Sequence, residues 1–208
     1  MTMSRKMLYF FIIALVAAPV VFTGCGPSKT VSRVATDEAI DLSGRWNDTD
    51  GQMVSEAMIT DCLGFPWIED FMGANGGNKP VVIVGQVVNK SHEHINTETF
   101  VKDLERAFIR SGRVRMVSND AFREWNRKER AGQAQGWTDP NTMASIGNEL
   151  GANFMLFGTI NTIIDEAGGQ RLVFYQTNLE LHNLTTTEKV WIGDKKIKKV
   201  IERASVKW

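Results

Sequence analysis

The segment from Val81 to Val88 is the part of the sequence that most restricts the possible folds. It reads Val-Val-Ile-Val-Gly-Gln-Val-Val, so apolar side chains occupy successive positions and not only alternate ones. Because neighbouring side chains of a strand point to opposite faces, this run predicts a strand that is covered on both faces. Strands of this kind, rich in β-branched residues, are typical of layered α/β sheets.

Helical patterns are found before this strand. Asp48 or Thr49 is predicted to cap a first helix, and Pro66 begins a second, shorter helical segment. Spacings of three and four place the apolar residues of the first helix on one inward side. These residues are Met53, Val54, Ala57, Met58 and Cys62.

Three more helices are predicted after the strand. The first is capped near Thr97, is closed by Gly112 and turns Val101, Leu104 and Phe108 inward. The second contains Phe122 and Trp125 and ends where the polar stretch begins at Arg127. The third begins at Asp139-Pro140, and its predicted buried stripe consists of Met143, Ile146 and Leu150.

The remaining strands complete a mixed sheet. Short strands at 114–117 and 154–160 alternate with helices, so parallel pairing is expected there. Gly168-Gly169 and Thr185-Thr186-Thr187 then separate three strand-like runs without helices between them, which predicts an antiparallel meander. The predicted fold class is therefore α/β, with a mixed sheet of four or five strands flanked by helices.

The N-terminus predicts export and a lipid anchor. Arg5 and Lys6 precede an uncharged apolar stretch of about 15 residues, which is typical of a signal-peptide core and short for a membrane span. Thr23-Gly24 directly before Cys25 resembles the lipobox cut by bacterial lipoprotein-processing enzymes, and an ordinary secretory signal is the alternative. We predict a signal peptide at 1–24, lipidation of Cys25, a flexible tether at 25–44 and one α/β domain at 45–208. Gly26, where Asp would signal inner-membrane retention in enteric bacteria, favours the outer membrane.

Charge and cysteine content exclude two further classes of protein. Removal of residues 1–24 leaves 22 basic against 24 acidic residues, so no basic field attracts nucleic acid. With Cys25 assigned to lipid, Cys62 has no cysteine to pair with, which excludes a disulfide framework. Its helical spacing predicts a small buried apolar residue.

Patterns of catalytic chemistry are weak. His92-Glu93-His94 supplies two metal ligands, but no third ligand accompanies them in a motif. Nucleophile-elbow, dinucleotide-binding and P-loop patterns do not occur in the sequence. The adjacent carboxylates Glu69-Asp70 and Asp165-Glu166 point in different directions and are typical of solvated surface. We therefore predict no catalytic residue, metal or cofactor, and a binding protein, not an enzyme.

Two groups of residues are candidates for contact with a partner. Six tryptophans are many for this length, and tryptophan is common at interface hot spots, although core packing is the alternative for each. They are Trp46, Trp67, Trp125, Trp137, Trp191 and Trp208. A basic cluster near the C-terminus consists of Lys195, Lys196, Lys198 and Lys199. Two interpretations of this cluster are open: it binds anionic cell-wall polymer or lipid headgroups, or it protects an edge strand from pairing with another chain.

An ordered set of motifs resembles the penicillin-binding-protein activator family LpoB. After the lipobox, the set contains Trp46-Asn47, Met53-Val54-Ser55, Asn89-Lys90-Ser91, Ile95-Asn96-Thr97 and the stretch from Leu150-Gly151-Ala152 to Gly158. The last stretch also occurs in relatives such as the N-terminal domain of TolB, the flagellar lipoprotein FlgO and the curli secretion protein CsgG. The resemblance covers about residues 46–195 and implies a fold like the TolB N-terminal domain, with Gly64 to Asn75 as an insertion.

The resemblance also implies a function. It implies a monomeric, periplasm-facing outer-membrane lipoprotein that binds a class A penicillin-binding protein of the 1B type and stimulates peptidoglycan synthesis. An envelope or secretion-associated structural lipoprotein, related to the curli and flagellar assembly lipoproteins, is the alternative. The expected partner-binding residues are Trp46, Asn89, Lys90, Trp125 and Trp137.

Overall fold

The computed structural model of the protein describes residues 32–35, 38–136, 138–142 and 149–202. The fold belongs to the unit that begins at Ala39. Its helices are α1 (Asp48–Gly64), α2 (Trp67–Ala74), α3 (Thr97–Ser111) and α4 (Asp120–Gln133). Its strands are β1 (Val81–Lys90), β2 (Arg115–Met116), β3 (Phe154–Ala167), β4 (Gln170–Asn183) and β5 (Lys189–Glu202). None of the described helices is both long enough and apolar enough to cross a membrane.

The strands form one mixed sheet in the order β2-β1-β3-β4-β5. β1 pairs in parallel with β2 and with β3, so Val82 lies opposite both Met116 and Phe154. β3, β4 and β5 pair in antiparallel fashion as two successive hairpins. This arrangement confirms the predicted mixed α/β sheet and its C-terminal meander.

β1 is covered on both faces along its first half only. Val81, Val82, Ile83 and Val84 are all buried, as the sequence predicts. Beyond them a register irregularity separates Val84 from Val87, and Val88 is exposed. The expectation of two-sided burial through Val88 was therefore wrong, because the helices α1 and α3 cover one face and leave the other open at this end.

The start of α1 differs from the sequence prediction. Asn47, not Asp48 or Thr49, is the N-cap, and it forms a reciprocal capping box with Asp50. Met53 is exposed, whereas Val54, Met58 and Cys62 are buried as predicted. Burial raises the pKa of the Cys62 thiol to about 12, so this cysteine stays protonated and behaves as a small apolar residue.

α3 follows its sequence pattern closely. Asn96 caps its N-terminus, and Gly112 ends it in the left-handed conformation with φ of 63°. Leu104 and Phe108 are fully buried against the sheet. The core lies between α1, α2, α3 and one face of the strands, and it includes Val54, Trp67, Val84, Leu104, Phe108, Phe154, Leu156, Ile160, Leu181 and Trp191.

The region after α3 departs from expectation. α4 does not end near Arg127 but continues to Gln133. Of the helix predicted from Pro140, Met143 and Ile146 lie outside the described residues, whereas Asp139 to Thr142 form a turn. Leu150 is exposed, so its predicted burial was wrong.

At Gly158 in β3, the backbone of β4 leaves no room for a side chain. A Cβ at this position would lie 2.0 Å from the carbonyl oxygen of Asn178 and 2.7 Å from a methyl carbon of Leu179. Only glycine therefore fits at the end of the Leu-Gly-Ala-x-x-x-Leu-x-Gly stretch.

Candidate partner-binding surface

Two of the five predicted partner-binding residues, Trp46 and Asn89, meet at Glu93. The backbone N–H of Trp46 donates to the Glu93 carboxylate (3.0 Å), and the Asn89 side chain donates to the Glu93 carbonyl (2.7 Å). The Trp46 ring packs edge-on against Phe100 and Tyr175, with centroids 6.4 and 5.6 Å apart. Both residues are therefore engaged inside the domain, where they hold the chain that leads into α1.

A polar cluster surrounds this entry and is called here the junction cluster: Asp41, Asp50, Glu93, Tyr175 and Lys199. The Lys199 ammonium lies 2.8 Å from the Asp41 carboxylate and 2.7 Å from that of Asp50, and it also donates to a backbone carbonyl (2.8 Å). The Tyr175 hydroxyl donates to the Glu93 carboxylate at 2.7 Å. The cluster thus ties β4 and β5 to the segment before α1.

Hydrogen bonds and burial shift the pKa values of three residues in the junction cluster. Burial alone would lower the pKa of Lys199, but its hydrogen bonds to Asp41 and Asp50 outweigh burial and raise that pKa. The hydrogen bond from Lys199 holds the pKa of Asp41 below its usual value. Burial, reinforced by the bond to Glu93, raises the pKa of Tyr175. All three shifts preserve a lysine cation, a carboxylate anion and a neutral phenol near pH 7.

The lysine cluster predicted near the C-terminus does not form one surface. β5 is an edge strand, and its side chains alternate between faces. Lys199 points to the helix-covered face, where its side chain is only 10% exposed. Lys196 lies on the other face and pairs with Asp194 at 3.1 Å.

Lys90 lies at the end of β1 on the open face of the sheet. This open sheet face contains a shallow depression of about 460 Å³, lined by Gln86, Val88, Lys90, Met155, Phe157 and Glu180 among others. Phe157 stacks on His182 with ring centroids 4.5 Å apart. The hydrogen bond from Lys189, followed by that from His182, lowers the pKa of Glu180. Lys90 is therefore accessible beside a largely apolar depression whose one carboxylate, Glu180, is already paired.

Trp125 lies on α4 in an exposed aromatic patch. We define this aromatic patch as Ile109, Phe122 and Trp125, whose exposed fractions are 62%, 44% and 65%. Phe122 and Trp125 are three positions apart on the helix, so their rings meet edge-on with centroids 5.4 Å apart. No residue of α4 is buried. Trp125, one of the five predicted partner-binding residues, is therefore on the surface together with Phe122.

A groove of about 280 Å³ lies beside the aromatic patch, between α3 and the start of α4. Its lining consists of Lys102, Glu105, Ile109, Met116, Val117, Ser118, Asn119 and Phe122. The Lys102 ammonium lies 5.3 Å from the centroid of the Phe122 ring and 2.7 Å from the Glu105 carboxylate. This volume is just below the range of small-molecule pockets, about 300–1,000 Å³, and suits one or two side chains of a partner.

Polar interactions, not burial, fix α4. Asn119 caps its N-terminus, and the Arg123 guanidinium donates to the Ser118 carbonyl at 2.9 Å. Arg127 makes a bidentate pair with Glu149, both contacts at 2.9 Å, and Arg130 donates to the same carboxylate. The hydrogen bond from Arg127 lowers the pKa of Glu149. The helix is therefore held in place while its aromatic side chains stay uncovered.

Two other predicted site residues, Cys25 and Trp137, lie outside the described residues. His92 contacts the Thr162 hydroxyl through Nδ1 at 3.1 Å. Among the described residues, no group of three or more His, Cys, Asp or Glu side chains could hold a metal ion.

The family assignment rests on a family model described as peptidoglycan-synthase activator LpoB, which matches residues 50–197. The chain belongs to the LpoB family. That family consists of activators and not of known enzymes. The match includes β1, α3, α4, β3, β4 and the first part of β5. The aromatic patch lies wholly within it, whereas Asp41 and Lys199 of the junction cluster lie outside it.

Solved structures of LpoB C-terminal domains and of another lipoprotein are similar to this chain at low identity. The LpoB C-terminal domain from Salmonella enterica is 16% identical, with 71% of this chain and 98% of that chain covered and a TM-score of 0.41. The same domain from Escherichia coli is 16% identical, with coverages of 74% and 99% and a TM-score of 0.39. Lipoprotein GNA1162 from Neisseria meningitidis is 11% identical, with coverages of 62% and 88% and a TM-score of 0.36. No curated protein matches the sequence significantly.

Proposed function

We propose that this LpoB-family protein is an outer-membrane lipoprotein, anchored through Cys25, that binds and activates a class A penicillin-binding protein of the 1B type. The match of the LpoB family model to residues 50–197 carries this proposal. The lipobox-like residues before Cys25 support the anchor. The physical task is binding, because a partner is activated whenever its active state is bound more tightly than its inactive state.

The aromatic patch is the proposed contact surface for the synthase. Trp125 and Phe122 present large apolar rings that folding leaves uncovered, and exposed clusters of this kind mark interaction sites. The neighbouring groove offers a recess for a partner side chain next to them. An aromatic anchor beside a recess is the usual arrangement of an interface hot spot.

The open sheet face around Lys90 is the less favoured surface. Glu180, the carboxylate in the depression on this face, already pairs with Lys189 at 2.8 Å. A partner would have to break this ion pair before it could bind the carboxylate, so the exchange would add little to the binding affinity. Lys90 therefore serves as the matched comparison for Trp125.

The test is the affinity of the purified protein for a class A synthase. Truncation of a hot-spot tryptophan costs about 2 kcal/mol or more, so Trp125→Ala should weaken binding about 30-fold. Lys90→Ala should bind within about threefold of the parent protein. Failure of the parent protein to bind any class A synthase would refute the partner, and equal binding of Trp125→Ala would refute the surface.

Activation and anchoring need separate measurements. Addition of the protein should increase the rate of glycan polymerisation by the synthase, and Trp125→Ala should need a correspondingly higher concentration. The parent protein should incorporate labelled palmitate and fractionate with outer membrane, whereas Cys25→Ser should do neither. Membrane fractionation of Cys25→Ser without lipid would contradict the anchor.

A further inference from the structure

A cavity of about 610 Å³ lies between α2 and the turn that joins β4 to β5. Its volume is within the range of small-molecule sites, about 300–1,000 Å³. One wall comes from Phe65 and α2, which fall in the segment predicted to be an insertion relative to the family. The cavity shares no lining residue with the groove beside the aromatic patch. The cavity is therefore separate from the surface proposed to bind the synthase, and its own ligand follows from the residues that line it.

Aromatic side chains line one side of the cavity, although Trp67 and Phe154 themselves are only 4% and 2% exposed. Trp67 and Phe71 each meet Phe154 edge-on, with ring centroids 5.0 and 5.4 Å apart. The Trp67 indole N–H already donates to the Cys62 carbonyl at 2.8 Å, so it offers no hydrogen bond to a ligand. Phe65 lines the cavity and is 48% exposed. A ligand here must therefore have at least one apolar face.

The polar lining provides acceptors and donors together. The carboxylates of Asp70 and Glu188 have no hydrogen-bond partner within the described part of the chain. The Asn153 side-chain oxygen is occupied by the Val81 N–H at 2.9 Å, and that of Asn183 by the turn that follows it. What remains of both amides is the NH₂ group, which only donates.

This combination selects among ligand chemistries. An ammonium group can only donate and would leave both amide NH₂ groups unsatisfied, whereas a phosphate can only accept and would face two carboxylates. Lys189 does not offset those carboxylates, because its ammonium pairs with Glu180 at 2.8 Å. A hydroxyl donates and accepts, and sugars combine ring hydroxyls with an apolar C–H face. We propose that this cavity binds a neutral saccharide, with the ring face on Phe65 and Phe71 and its hydroxyls on Asp70, Glu188, Asn153 and Asn183.

The probe for this site is chitotetraose, an N-acetylglucosamine oligomer, titrated into the full-length protein by calorimetry. Maltotetraose, a glucose oligomer, distinguishes the source of the sugar, and trilysine tests the cationic alternative. We expect saccharide binding with a Kd of roughly 1 mM or below that stays unchanged from about 50 to about 300 mM salt. Binding of chitotetraose alone assigns the site to amino-sugar chains such as peptidoglycan, and binding of both oligomers assigns it to hexose chains in general.

Three variants locate the site. Phe65→Ala, Asp70→Asn and Glu188→Gln should each weaken saccharide binding about tenfold, because each removes one ring or charge-assisted contact. Asp165→Asn changes an exposed carboxylate at the opposite end of β3 and should bind like the parent protein. Because Asp70 and Glu188 are exposed, their variants fold even where Phe65→Ala does not.

Three outcomes overturn the proposal. They are absence of saccharide binding at about 10 mM, salt-sensitive binding of trilysine in its place, and parent-like saccharide affinity in both Asp70→Asn and Glu188→Gln. None of these outcomes bears on the synthase, because Trp125→Ala and the saccharide variants alter different surfaces.

Discussion

Replacement of Lys199 by methionine tests the junction cluster most directly. The change keeps the length of the side chain and removes the charge that faces Asp41 and Asp50. Asp50 is only 4% exposed, so its carboxylate is left desolvated without a cation. Loss of one partner of a buried pair costs about 3–5 kcal/mol, whereas the half-exposed Asp41 adds about 1 kcal/mol at most. The free energy of unfolding should therefore fall by about 3–5 kcal/mol.

The assay is urea and thermal unfolding of the purified protein. At about 2–4 °C per kcal/mol for a domain of this size, the Tm should fall by about 6–20 °C. Lys196→Met is the matched control, since Lys196 is on the same strand but is exposed, and it should cost less than about 0.5 kcal/mol. Equal stability of the two variants would show that the junction cluster does not contribute as a buried ion network.

Three further predictions concern stability. Lys199 and Tyr175 both have pKa values that are raised in the folded state, so their contributions to the free energy of unfolding are present below about pH 10 and should be lost as the pH rises further. Urea unfolding midpoints measured from about pH 7 to 11 would detect this loss. Gly158→Ala should cost about 1–3 kcal/mol or more in chemical unfolding through its clash with backbone, while Gly151→Ala, which meets no atom within 4 Å, should be nearly neutral. Asn47→Ala should cost about 1–2 kcal/mol by the same assay, because it removes the cap of α1, and an unchanged midpoint would argue against that cap.

Elements whose own residues specify them were predictable from the sequence. α3 carries a cap, an apolar stripe and a terminal glycine, and it forms as those signals indicate. The meander follows from two turn signals with no room for a helix between the strands. These features depend on spacing along the chain, which a sequence shows directly.

The candidate sites depend on the tertiary structure. Trp46 and Trp125 look alike in the sequence, yet one packs against Tyr175 and the other is left uncovered. Lys199 looks like one of four equivalent lysines, but β5 turns it toward two carboxylates brought from the segment before α1 and from α1 itself. Which face a side chain meets depends on elements far away in the chain.

The lipobox-like residues before Cys25, the α/β pattern and the lack of catalytic motifs were therefore visible in the sequence itself, because each is a local order of residue types. The exposure of the aromatic patch and the saccharide-sized cavity were decided only when α2, α4 and the strands packed. The physical reason is that burial and hydrogen-bond pairing are properties of neighbours in space, and distant segments supply most of those neighbours.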